Sequence, residues 1–198
     1  TTETLVESGP SSNRLDVVFL GDGYTASQIG QFRDDVIAVV AKFSTSPPLG
    51  EFMPLINIHI VNVISNESGA DHPSRGVYRD TALDCTFEMG SERCVGSSNV
   101  QKVLDAASLV PQYDTIVVLV NDPQPGGCAG SIAFSARHSY FAETVVHEFG
   151  HSFGKLADGI RPLPGAVELL RHLSATGCPW AIATSGRMAT ARPTIERL

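Results

Sequence analysis

Glu143-Thr144-Val145-Val146-His147-Glu148-Phe149-Gly150-His151-Ser152-Phe153-Gly154 is the stretch on which the reading of this 198-residue chain turns. A helix through it sets His147 and His151 one turn apart on a single face. Two imidazoles so placed can close on one Zn²⁺, and Glu148 beside the first stands where a general base toward an attacking water is needed. Val145, Val146, Phe149 and Phe153 supply an apolar side that would anchor the helix in a core. Gly154 lets the chain turn after the helix and present a third ligand. The plain alternative is an amphipathic helix that happens to carry two histidines.

The segments upstream supply a sheet for that helix to pack on. Leu15 to Leu20 is a near-continuous apolar run, the pattern of a buried strand. The turn Gly21-Asp22-Gly23-Tyr24-Thr25 ends it, and a helix opens near Ala26 or Ser27 and runs to about Phe43. Ile56 to Ile64 predicts a second strand, in which a lone His59 reads as structural more readily than as a ligand. Residues 65–97 form a long polar excursion containing Asp71, His72, Arg75 and Tyr78, and loops of this length in compact domains tend to be functional or disordered. A helix capped by Ser98 or Asn99 reaches about Leu109, and Thr115 to Val120 is again fully apolar and β-branched. Ser131 to Ser135 predicts a short edge strand directly before the histidine helix, to which an extended peptide could add as a further strand. Residues 1–13 are polar and turn-rich, an unanchored or edge segment.

Composition narrows the function classes. Hydrophobic residues make up 42% and charged residues 18%, a globular balance. The net charge of −7 and the lack of any basic run argue against a nucleic-acid surface. No apolar stretch approaches the length of a membrane span. The four cysteines, at 85, 94, 128 and 178, include no Cys-x-x-Cys pair, so a cysteine zinc ribbon is excluded. Cys85 and Cys94 flank a short polar loop and could close a small disulfide in an exported protein, or stand as two free thiols. Cys128, between glycines, reads as a small loop residue.

At Leu15 to Thr25, and again from His147 to Asp158, the chain resembles the IgA-peptidase family of zincin metallopeptidases. Gly130-Ser131-Ile132-Ala133 before the helix, and Gly76-Val77-Tyr78 with Thr81-Ala82 in the long loop, are similar too. The resemblance covers about residues 10–158 and implies a zinc endopeptidase, commonly exported, acting on a peptide or protein. It also implies that the two helix histidines are ligands and the glutamate between them the base. Family members typically follow the helix with Leu-Ala-Asp-Glu-Tyr; here Leu156-Ala157-Asp158 is followed by Gly159 and Ile160. Asp158, seven residues past His151, is the expected third ligand, because carboxylate oxygen is a zinc donor. Its plain alternative is a turn aspartate before glycine.

From Gly159 the pattern changes. A proline-started amphipathic helix and the strand Trp180 to Arg187 resemble a central piece of a haloacid dehalogenase-like phosphatase. That chemistry also needs an aspartate nucleophile, and Leu20 stands where the nucleophile should be. The expected fold class is therefore α/β: a zincin-like sandwich with a metal-binding helix over residues 1–158. Residues 159–198 are expected to form a helix–strand–helix fragment in place of a truncated C-terminal subdomain. The expected activity is zinc-dependent endopeptidase, outside the cell or in the periplasm, with Glu148 as base and His147, His151 and Asp158 as ligands. A catalytically incompetent remnant, truncated or fused, that at most binds metal is the rival.

Overall fold

The computed structural model describes residues 1–156, of which Thr1–Lys155 form one compact unit. Strands β1 (Thr2–Val6), β2 (Leu15–Asp22), β3 (Ile56–Val61), β6 (Thr115–Val120), β7 (Gly127–Ala129) and β8 (Ile132–Ala136) make one sheet, in the order β1-β3-β2-β6-β8-β7. The inner four run parallel, and each edge carries an antiparallel strand: β1 on β3 and β7 on β8. A small hairpin of β4 (Cys85–Thr86) and β5 (Gly96–Ser97) lies in the long excursion.

The parallel strands are apolar on both sides because both faces are covered. On one face Val17, Phe19, Ile58, Ile60, Val117 and Leu119 meet helix α1 (Ile29–Thr45) and helix α4 (Phe141–Ser152). The ring of Phe43 on α1 bridges the layers, 6.3 Å from Phe19 on the sheet and 5.1 Å from Phe149 on α4. On the other face Val18, Leu20, Val118 and Phe134 pack against Val103 and Ala107 of helix α3 (Val100–Ala107) and against Leu83, Phe87 and Val95 from the long excursion. One short turn, α2 (Leu49–Phe52), leads from α1 back toward β3. The architecture is mixed α/β, as the sequence predicts; the calls on residues 159–198 lie outside the described residues.

The 65–97 excursion is held by one carboxylate. Asp22, fully buried at the end of β2, accepts hydrogen bonds from Thr81 Oγ1 (2.9 Å), Leu83 N (2.8 Å), Cys85 N (2.9 Å) and Ser65 Oγ (3.3 Å). An ionised carboxylate taking several donors is strongly held even without water. Beside it Gly23 takes φ 70°, and a Cβ there would collide with the carbonyl oxygen of Gly69, so the crossing of the two segments requires glycine.

Three expectations are corrected. The disulfide joins Cys94 to Cys128, 34 residues apart, and not Cys85 to Cys94. Cys85 points into the core from β4, where burial and the neighbouring Asp22 carboxylate push its thiol well above its usual range. Cys128 is thus a cross-link rather than a small loop residue. The strand before the histidine helix is also not an edge: β7 pairs with it across the Gly130–Ser131 turn and takes the outer position. Residues 2–6 form an ordered edge strand, the second of the two readings the sequence allowed for this segment. His59 is structural as expected, with Nε2 2.7 Å from Asp16 Oδ1 and Nδ1 3.1 Å from Thr4 Oγ1.

Candidate active site

Helix α4 carries the site, and four contacts fix its position. Val145 and Phe149 are buried against the sheet and α1, as the apolar spacing predicts. Lys42 of α1 pairs with Glu143 in the first turn of α4 at 2.8 Å, and this hydrogen bond holds the Glu143 carboxyl below its usual range. At the junction between β8 and α4, Arg137 Nε donates to Asp35 Oδ2 of α1 at 2.7 Å, and Tyr24 Oη donates to the same oxygen at 2.9 Å. Burial and that carboxylate push the Tyr24 phenol far above its ordinary range, so it stays protonated as a donor. Phe153, expected in the anchoring stripe, instead lies beyond the helix end and is exposed, its ring 5.3 Å from Phe149. After the helix the left-handed residue is Lys155 (φ 52°) rather than Gly154, and Lys155 Nζ donates to Ser152 O at 2.6 Å.

On the outward face of α4 the two histidines converge: His147 Nε2 and His151 Nε2 are 3.0 Å apart. Two nitrogens at about 2.0–2.1 Å from one tetrahedral Zn²⁺ are separated by about 3.3 Å. The pair therefore fits two corners of such a centre with a small ring adjustment. Among the described residues no group of three His, Cys, Asp or Glu side chains comes together, and Asp158, the expected third ligand, lies outside them.

Glu148 differs from the two histidines in being only 8% exposed. It turns from the helix toward edge strand β7, where the absence of a side chain at Gly127 makes room. A Cβ on Gly127 would stand 2.7 Å from Glu148 Oε1 and 2.7 Å from Thr144 Cγ2. The sequence shows Gly127 only as one of the glycines flanking Cys128 in an apparent loop, with no sign of this use. Glycine followed by an antiparallel edge is the local signal, but only the packing of β7 on α4 shows what it accommodates.

His138, also not anticipated, steers the start of the helix. Tyr140 N donates to its Nδ1 at 3.4 Å, which leaves the proton on Nε2 to donate to Thr144 Oγ1 at 3.2 Å. Burial lowers its pKa below the ordinary histidine value, partly opposed by the charge of Glu143. With the folded value below the unfolded one, the unfolded chain binds the extra proton. The stability due to neutral His138 is present above about pH 6.5 and is lost as pH falls through the lower folded value. The melting temperature of His138→Gln is expected to fall less steeply than that of the wild type between pH 7 and pH 5. Parallel slopes would remove His138 from the acid sensitivity.

The long excursion walls a cleft of about 730 Å³ beyond the ends of β2 and β6, with His72, Arg75, Arg79, Arg93, Asp122 and Gln124 among its lining. His72 Nε2 lies 2.9 Å from Asp122 Oδ2, and its ring stacks on Phe87 at 4.6 Å. His72 and Arg75 were legible as part of a functional loop but not as lining residues.

The profile of the IgA Peptidase M64 family matches residues 4–181. Over 35 residues the chain is also 60% identical to hexitol phosphatase A of Escherichia coli (strain K12); that stretch is 18% of this chain and spans 16% of the phosphatase.

Proposed function

The chain belongs to the IgA peptidase M64 family, and from that premise we propose that it is a zinc-dependent endopeptidase with α4 as its catalytic helix. The observation that carries this reading is the convergence of His147 Nε2 and His151 Nε2 beside a buried Glu148. His147, His151 and Asp158 would hold the metal. When bound, zinc supplies Lewis acidity, polarising a carbonyl oxygen and drawing the pKa of water down to about 7.

The remaining chemistry falls to the chain's own residues. Glu148 takes the proton of the attacking water and passes it to the nitrogen of the departing amine. Its position between α4 and β7 keeps solvent from one side and limits its motion, because Gly127 abuts the carboxylate. The substrate adds as an extended strand outside β7. In the β7–β8 ladder the pairs Gly126–Ala136, through Ala136 N to Gly126 O, and Gly130–Ile132, through Gly130 N to Ile132 O, are bonded. By alternation Gly127 and Ala129 turn their backbone groups outward. The Cys94–Cys128 bridge ties this edge to the long excursion. A disulfide is compatible with function outside the cell or in the periplasm.

Casein hydrolysis should cease with 1,10-phenanthroline and return when zinc is restored. In His151→Ala the bound zinc should fall to a small fraction of the wild-type content, since one of the two converging nitrogens is gone. Full zinc content in that variant would exclude His151 as a ligand.

A further inference from the structure

We propose that the cleft beyond β2 and β6 is a carboxylate-recognition pocket, and that it selects peptides with an acidic side chain a few residues beyond the stretch paired with β7. This rests on the peptidase reading for its substrate, but its argument comes from different residues. Three arginines, Arg75, Arg79 and Arg93, line one cleft in a chain of net charge −7. Among the described residues, ion pairs of arginine are made by Arg33, Arg79 and Arg137. Arg79 faces Glu67 at 3.6 Å, while Arg75 and Arg93 have no acidic partner among the described residues. The acids that line the cleft are Glu92 and Asp122. Asp122 is engaged already, by His72 Nε2 at 2.9 Å and by Gln124 N at 2.9 Å. The lining carries three guanidinium groups against two carboxylates, a net positive balance, and guanidinium groups match a carboxylate in planar, paired hydrogen bonds.

Two buried polar atoms of lining residues, His72 Nδ1 and Gln124 Oε1, have no hydrogen-bond partner among the described residues. His72 is itself only 7% exposed. With His72 Nε2 donating to Asp122, both atoms are acceptors, so the groups that would satisfy them are N–H donors of a bound peptide and not its carboxylate, which is left to the arginines.

The cleft adjoins the catalytic helix through one residue. Gly127 abuts Glu148 Oε1, and its outward N–H is bonded to Arg93 O at 3.1 Å. A substrate running antiparallel to β7 pairs at Ala129, passes Glu148 and meets the Arg93 segment at Gly127. Its next residues on the C-terminal side lead toward Pro125 and Gln124, which line the cleft. The selected carboxylate is therefore on the C-terminal side of the scissile bond.

The test uses the full chain as its Glu148→Gln variant, so that peptide is not consumed. Two fluorescein-labelled, C-terminally amidated peptides, Gly-Val-Ala-Val-Ala-Glu-Ala and its glutamine counterpart, are titrated by fluorescence anisotropy. The glutamate peptide should bind about 10- to 100-fold tighter, the worth of a charged hydrogen-bonded contact. Adding Arg75→Gln and Arg93→Gln should reduce that preference below about threefold. Both guanidinium groups are exposed, and an unchanged melting temperature confirms that the variant is folded. Equal binding of the two peptides, binding of neither, or a preference that survives the double substitution overturns the proposal. Casein hydrolysis by the wild type without glutamate preference leaves the peptidase reading standing and removes the pocket. Glutamate preference with no hydrolysis of any substrate does the reverse.

Discussion

Glu148→Gln is expected to lower kcat by about 10²–10⁴-fold, the range associated with a positioned general base, while KM stays within a small factor of its wild-type value. The amide keeps the size of the carboxylate and its place against Gly127, so helix packing should be unaltered. It cannot accept the proton of an attacking water. Zinc content measured on the same sample should be unchanged, because Glu148 sits beside the nitrogens proposed to bind the metal rather than among them. Loss of zinc in this variant would make Glu148 part of the metal site's support. Unchanged kcat would remove it from the chemistry.

Gly127→Ala should separate activity from stability. The added methyl would stand 2.7 Å from Glu148 Oε1 and 2.7 Å from Thr144 Cγ2, both outer atoms of side chains and not backbone. The cheaper relief is for Glu148 to swing away, so the fold should lose only about 1–3 kcal/mol. A catalytic group displaced by about 1 Å costs on the order of 10²-fold in rate. Urea unfolding and peptide hydrolysis measured together decide the matter. A large fall in stability with full specific activity of the folded fraction would show that Gly127 serves β7 packing and not the placement of the base.

How far the chain could be read in advance differs from element to element. β2, β6 and α1 were legible because their signals are local: near-continuous apolar runs, or apolar residues at helical spacing. The histidine helix was legible for the same reason, one turn of periodicity placing both imidazoles together. The disulfide was not, because Cys94 reaches Cys128 only after β7 has folded back on β8, and sequence proximity favoured Cys85. The edge position failed likewise: Gly127–Ala129 is too short and too glycine-rich to register as a strand, yet it displaces β8 from the rim. Asp22 drew notice only as part of the turn that ends β2. Its role in gathering Ser65, Thr81, Leu83 and Cys85 depends on contacts across about 40 to 63 residues that no local pattern encodes. The arginine cleft has the same origin, since Arg75 and Arg93 share a wall only because that carboxylate holds their loop.

Zinc per chain, determined by elemental analysis of the purified 198-residue protein without added metal, tests the central claim most directly. About one zinc per wild-type chain, falling to near zero in His151→Ala, is the result expected of a site built on the converging nitrogens of α4. A wild-type content far below one, or a His151→Ala content equal to the wild type, would contradict it.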